Sequence, residues 1–227
     1  MGGIQAITFD VGGTLIEPWP SVGHVYAEVA AQFGVTRVAP ELLNHRFGAA
    51  WEAKGNFDYS RAAWRRMVRQ TFGEQAGALP PEFFPVLYER FAQPDAWRIY
   101  DDVVPTLEHL ARRSLRLAVI SNWDERLRPL LDRLKLSRHF EAIFVSTEMG
   151  HAKPAPEIFR QAAAGLKLPP EALRHIGDSA REDVAGAQAA GWQAWLLDRR
   201  STSSVSGAFC TLADLTRWLG DGQPVGF

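Results

Sequence analysis

Downstream of Tyr100 the chain alternates between short apolar runs and amphipathic stretches of about three helical turns, and no other feature constrains its fold as tightly. The spacing predicts helices over 103–112, 125–134, 156–166, 182–190 and 212–219, and strands over 115–120, 142–145, 173–176 and 192–197. Another apolar run, 4–9, stands near the N-terminus and ends at Asp10, just before Gly12-Gly13. Strands this apolar are buried on both faces, and strands that alternate with helices are joined by crossovers. The pattern therefore specifies a parallel sheet covered by helices on both sides. Residues 201–207 read as a polar loop.

Residues 21–94 have a different texture. Val22, Tyr26, Val29 and Phe33 form one helical stripe, and Trp64, Met67, Val68 and Phe72 form another. Breaks fall at Gly34, Gly55-Asn56, 73–81 and Gln93-Pro94. The expected architecture is a three-layer α/β core made of 1–17 and 98–227, with a helical subdomain, 18–97, inserted after the first strand.

Composition permits this and excludes other classes. A chain of 227 residues, 46% of them hydrophobic, can bury a substantial core. A net charge of -1 gives no reason to expect nucleic acid or an anionic membrane as partner. No apolar run reaches the ~18 residues of a membrane span. The N-terminus lacks a basic segment followed by a signal-type apolar stretch, so the cytoplasm is the expected location. The lone Cys210 has no partner for an intrachain disulfide and no zinc-type neighbourhood.

In a parallel sheet, polar residues at the carboxyl ends of strands gather along one rim, where ligands bind. Asp10, Ser121 and Asp178 share that placement although they lie far apart in sequence. Asp10-Val11-Gly12-Gly13-Thr14 puts a carboxylate, two glycines and a hydroxyl at one strand end; such a carboxylate can attack phosphorus or carbon. Taken alone, an Asp-Gly turn explains it as well. Asp178 and Asp183 place two carboxylates in one turn, where they repel unless a cation lies between them, and magnesium suits such oxygens. Helix capping explains Asp183 equally well, Asp178 less so. Ser121-Asn122 is either an anion cradle or a helix cap. Lys153 either neutralises charge at the rim or is a solvated lysine.

Four motifs stand in order: FDVGGTL over 9–15, ISN over 120–122, the lysine in GHAKPAPEIF over 150–159, and GDSAREDVAGAQAAGW over 177–192. With them the sequence resembles the haloacid dehalogenase (HAD)-like hydrolase superfamily, in its subfamily I arrangement with a helical cap between the first and second motifs. SNWDERL over 121–127 is similar to the branch that includes haloacid dehalogenase-like hydrolase domain-containing protein 3. The resemblance covers the core, and the inserted segment matches in placement and length. It implies a Rossmann-like core and a Mg2+-dependent hydrolase, a small-molecule phosphatase acting through an aspartyl-phosphate. Asp10 would be the nucleophile. Thr14, Ser121, Asn122 and Lys153 would bind the transferring group. Asp10, Asp178, Asp183 and the carbonyl of Gly12 would make the metal site, Asp183 through a metal-bound water or a contact behind the ligands. The implied partner is a small phosphorylated molecule, with the protein a monomer or homodimer.

One departure stands out. Phosphatases of this family usually carry an acid/base aspartate two residues after the nucleophile, where this chain has Gly12. General acid-base help is worth ~10²–10⁴ in rate. Three alternatives follow: His24 or Glu17, near the entry to the cap, supplies the proton; the chain is a catalytically impaired phosphate-binding or regulatory protein; or it is a haloacid dehalogenase, whose halide needs no proton. Against the last stands the retention of Asp178 and Asp183. Lys54, the lone lysine of the cap, would matter if Schiff-base chemistry were used.

Overall fold

The computed structural model describes residues 3–201 and 208–220. The chain divides into two compact units, Met1–Ile16 with Ile99–Phe227, and Glu17–Arg98. Among the described residues no helix is long and apolar enough to cross a membrane.

The first unit is built on a parallel sheet. Its strands are β1 (Ala6–Phe9), β4 (Arg116–Ser121), β5 (Ala142–Val145), β6 (Leu173–Gly177), β7 (Gln193–Leu197) and β8 (Ala208–Phe209), in the spatial order β5-β4-β1-β6-β7-β8. Between β1 and β4 in sequence lie two three-residue strands, β2 (Ile16–Pro18) and β3 (Trp97–Ile99), which pair with one another where the chain leaves and re-enters this unit. Every residue of β1 and β6 is buried, including Thr8 of β1 and Arg174 and His175 of β6 among their apolar neighbours. Parallel pairing needs crossovers, and helices Val103–Arg112, Leu127–Arg133 and Pro156–Leu166 supply them. Ile158, Phe159, Ala162 and Leu166 of the last pack on Ala6, Ala118, Ile120 and Leu173 of the sheet.

The second unit is helical: Val22–Gln32, Pro40–Glu52, Arg61–Phe72 and Phe83–Arg90. Ser21 and Ser60 cap the first and third helices by accepting from the backbone of His24 and Ala63. Its core is aromatic. Tyr26 stacks on Phe72, Phe72 meets Phe83 edge-on, and Trp51 stacks on both Phe47 and Trp64.

Several expectations shift. The strand expected over 115–120 runs Arg116–Ser121 and so takes in Ser121. The helix expected over 125–134 starts only at Leu127, because Arg126 turns back to pair with Asp124. The helix expected over 182–190 is a π-helical turn, Ala180–Ala185, leading into a short α-helix, Gly186–Ala189. The strand pair Ile16–Pro18 and Trp97–Ile99, strand Ala208–Phe209 and helix Ser146–Met149 are too short to leave a period in the sequence. The polar loop over 201–207 lies, apart from Ser201, outside the described residues.

Candidate active site

β1 is the pivot. β4 and β6 flank it, and the ladder carries on past its end, with the Asp10 amide donating to Ile176 O at 2.8 Å. This fixes the Asp10 side chain at the carboxyl rim, 7% exposed. Asp10 Oδ1 accepts from Lys153 Nζ at 2.6 Å and from Ser121 Oγ at 3.0 Å. Neither bond engages Oδ2. Lys153 is buried and spends its other protons on Ile120 O, at 3.0 Å, and on Asp183 Oδ1.

The lysine is positioned from its backbone. Lys153 N donates to Asn122 Oδ1 at 2.7 Å, and Asn122 Nδ2 donates to Lys153 O at 2.8 Å and to Glu182 Oε2 at 3.2 Å. The Asn122 side chain is thus engaged in clasping the loop that delivers Lys153.

Asp183 is held from both oxygens. Oδ1 takes Lys153 and lies 2.9 Å from His175 Nε2, and Oδ2 accepts from Ser179 N at 3.0 Å. His175 Nδ1 lies 2.8 Å from Thr8 Oγ1. A carboxylate on one side places a proton on Nε2, and in the neutral ring Nδ1 accepts from the Thr8 hydroxyl, which also lies 3.3 Å from Arg174 O. Burial pushes the His175 pKa down, which favours that neutral ring. Two glycines make the packing feasible. A Cβ on Gly177 would lie 2.1 Å from Asp183 Cγ. Gly13, at φ +79°, is left-handed, and a Cβ there would lie 2.4 Å from Asp178 Oδ2.

Asp10, Asp178 and Asp183 bring one carboxylate oxygen each to within 4.8 Å of one another. One lysine cannot balance three such charges, and the pKa values show the strain. Burial, opposed by Lys153, pushes Asp10 above the usual carboxylate range. Asp178 keeps exposed surface, yet desolvation by the protein around it, with the charges of Asp10 and Asp183, pushes it up to about 7. Burial would raise Asp183 too, but the Lys153 ammonium and the His175 hydrogen bond hold it below the usual range. For Lys153, burial works against the charge and the two carboxylates overcome it, so its pKa is raised. A cluster of hard oxygens with unbalanced negative charge fits a divalent cation of the magnesium or calcium type.

The structure therefore brings together Asp10, Ser121, Lys153, Asp178 and Asp183. Thr14 is buried, and its hydroxyl has no hydrogen-bond partner among the described residues, while its carbonyl accepts from Arg199. Gly12 forms a bridge with Ile16, and a Cβ there would face Trp123. His24, Glu17 and Lys54 all have partners in the helical unit. His24 Nδ1 lies 2.7 Å from Ser21 Oγ, Glu17 accepts from Arg98 Nε at 2.9 Å, and Lys54 Nζ sits 3.6 Å from the centre of the Trp51 ring. Sequence reasoning missed the network of His175, Thr8 and Glu182. The available signal was the polar residues Thr8, Arg174 and His175 inside strands buried throughout.

A parallel α/β sheet with a buried carboxylate–lysine cluster at the rim of its central strand, interrupted by a helical insertion, defines a class of hydrolase. The family described as haloacid dehalogenase-like hydrolase matches residues 4–191, and the chain belongs to it. It is 34% identical over 206 residues to haloacid dehalogenase-like hydrolase domain-containing protein 3 of Mus musculus, covering 86% of this chain and 82% of that protein. L-2-haloacid dehalogenase from Xanthobacter autotrophicus has the same fold, with a TM-score of 0.77 at 18% identity over 97% of this chain and 100% of the other. So does the putative HAD-hydrolase YfnB from Bacillus subtilis in its magnesium-bound form, with a TM-score of 0.72 at 18% identity over 96% and 99% of the two chains.

Proposed function

We propose that this hydrolase is a Mg2+-dependent phosphatase of small phosphorylated molecules, acting as a monomer or homodimer in the cytoplasm and using Asp10 as nucleophile. One observation carries the reading: Lys153 and Ser121 both hold Asp10 Oδ1, so the carboxylate is fixed in orientation with Oδ2 free of those bonds. A carboxylate so held attacks phosphorus in line, and the leaving group departs on the far side. Water then cleaves the aspartyl-phosphate and restores Asp10. Lys153 offsets charge on Asp10 throughout and works against the upward push of its burial. Ser121 and Lys153 are the groups placed to meet the phosphoryl oxygens, with Thr14 and the backbone at Asn122 beside them. Asn122 and Glu182 hold the lysine's loop.

Asp10, Asp178 and the Gly12 carbonyl would hold the magnesium, with Asp183 behind them, since its oxygens are already bonded to Lys153, His175 and Ser179. Bound there, the ion supplies positive charge against which phosphoryl oxygens can develop negative charge. The intact set of three aspartates favours an enzyme over a protein that only binds phosphate, and favours phosphoryl transfer over halide displacement. Gly12 gives no side chain for proton transfer two residues beyond Asp10. The test is phosphate release over a panel of phosphorylated metabolites, with magnesium and with EDTA, beside chloride release from 2-chloro acids. Phosphate release that needs both magnesium and Asp10 is expected. Chloride release without metal, or full turnover by Asp10→Asn, overturns the reading.

A further inference from the structure

Gly12 has an ordinary backbone, so nothing in its φ excludes a side chain there. What stands in the way is Trp123. A Cβ on residue 12 would lie 3.3 Å from Trp123 Cζ3 and 4.0 Å from Cη2. The first distance is tighter than the ~3.5–4.0 Å of comfortable carbon contact. Any side chain extended beyond that Cβ would have to pass the Cζ3–Cη2 edge of the ring.

The backbone that carries the ring is firmly placed. Trp123 N donates to Ser146 Oγ at 3.1 Å, and the same hydroxyl donates back to Trp123 O at 3.1 Å. Thr147 N donates to Trp123 O at 3.4 Å. The next residues are locked by a buried fork, with Arg126 Nε and Nη2 on Asp124 Oδ1 and Oδ2 at 2.8 and 2.6 Å. The ends of two neighbouring strands, β4 and β5, thus hold the Trp123 backbone, from which the indole reaches the loop that leaves Asp10.

We infer that Gly12 and Trp123 are a matched pair, in which the indole fills the volume of a residue-12 side chain and makes Trp123 a specificity-determining wall. This rests on the phosphatase reading above and names the substrate class: phosphates whose leaving group departs as a stable anion, acyl phosphates first among them. When Asp10 oxygen bonds to phosphorus, the bond from phosphorus to the leaving oxygen breaks, and its electron pair stays with that oxygen. An acyl phosphate then releases a carboxylate, which needs no proton. An alkyl phosphate would release an alkoxide facing a ring that has no proton to give. Water then attacks the phosphorus of the aspartyl-phosphate, and the products are phosphate, free Asp10 and a proton passed to solvent.

The test compares kcat/KM of the full chain, with magnesium, for acetyl phosphate, 4-nitrophenyl phosphate and glycerol 3-phosphate. The wild type is expected to favour acetyl phosphate over glycerol 3-phosphate by at least ~10²-fold, the low end of what general acid catalysis supplies. Gly12→Asp alone leaves glycerol 3-phosphate poor, whereas Gly12→Asp with Trp123→Ala raises its kcat/KM by about 10²-fold. Equal wild-type rates on the three substrates overturn the inference, and so does a full gain from Gly12→Asp alone. The wild-type comparison needs no variant to fold. No Asp10-dependent release from any of the three would overturn the phosphatase reading itself, and this inference with it.

Discussion

The two units differ in what they bury beside their apolar cores. In the sheet-based unit Asp10, Lys153, His175 and Asp183 are all buried around one point. In the helical unit the buried set is Tyr26, Val29, Leu43, Phe72, Phe83, Leu87 and their neighbours, and its buried Thr71 hydroxyl simply returns to the Met67 carbonyl. Apolar packing stabilises a fold directly. Buried ions do so poorly, because desolvation consumes most of what their attraction returns. A unit with a good apolar core has no structural need for such a cluster, which is what makes it the candidate site.

The largest expected departure comes from removing the central cation. Lys153→Met leaves Asp10 and Asp183 buried with no ammonium between them. It should cost ~3–5 kcal/mol of stability, read from urea denaturation, because one partner of a buried pair is lost. It should also cost about 10²–10³ in kcat for any substrate found. Phe72→Ala tests the other half of the comparison. Phe72 stacks on Tyr26 and meets Phe83, so truncation should cost ~3–5 kcal/mol. Magnesium affinity of the folded protein should stay as in the wild type, and a lost ion site would break the division of labour.

Metal addition gives a smaller effect on the first unit. Magnesium at about 100 times its Kd should stabilise the wild type by ~2.7 kcal/mol, seen as a rise in Tm. Asp178→Asn should lose most of that rise, since it removes the carboxylate that burial and its neighbours hold at about 7. The smallest effect belongs to a cap. Ser60→Ala removes the acceptor for Ala63 N and should lower stability by ~1 kcal/mol, with metal binding intact.

Much of this was legible in the sequence, for a physical reason. A strand buried on both faces is mostly apolar up to its end, so Asp10, Ser121 and Asp178 mark the rim by following such runs. Helices 103–112 and 156–166 and strand 142–145 carry full periods and lie where the period puts them. The π-turn at Ala180–Ala185 was not legible, because the turn that carries Asp183 is held by partners distant in sequence, Lys153 among them. The clasp of Asn122 on Lys153 was hidden for the same reason, since both of its bonds cross 31 positions of sequence. Trp123 reads as one more aromatic residue until the missing Cβ of Gly12 is seen to point at it.

Turnover through Asp10 requires a covalent bond between phosphorus and one carboxylate oxygen. Acid-quenching the enzyme during turnover of acetyl phosphate, followed by mass spectrometry of its peptides, tests that bond directly. The peptide holding Asp10 should carry the added mass of one phosphoryl group, absent from Asp10→Asn. Phosphate release with that peptide unmodified, or with the label on another residue, would contradict the account.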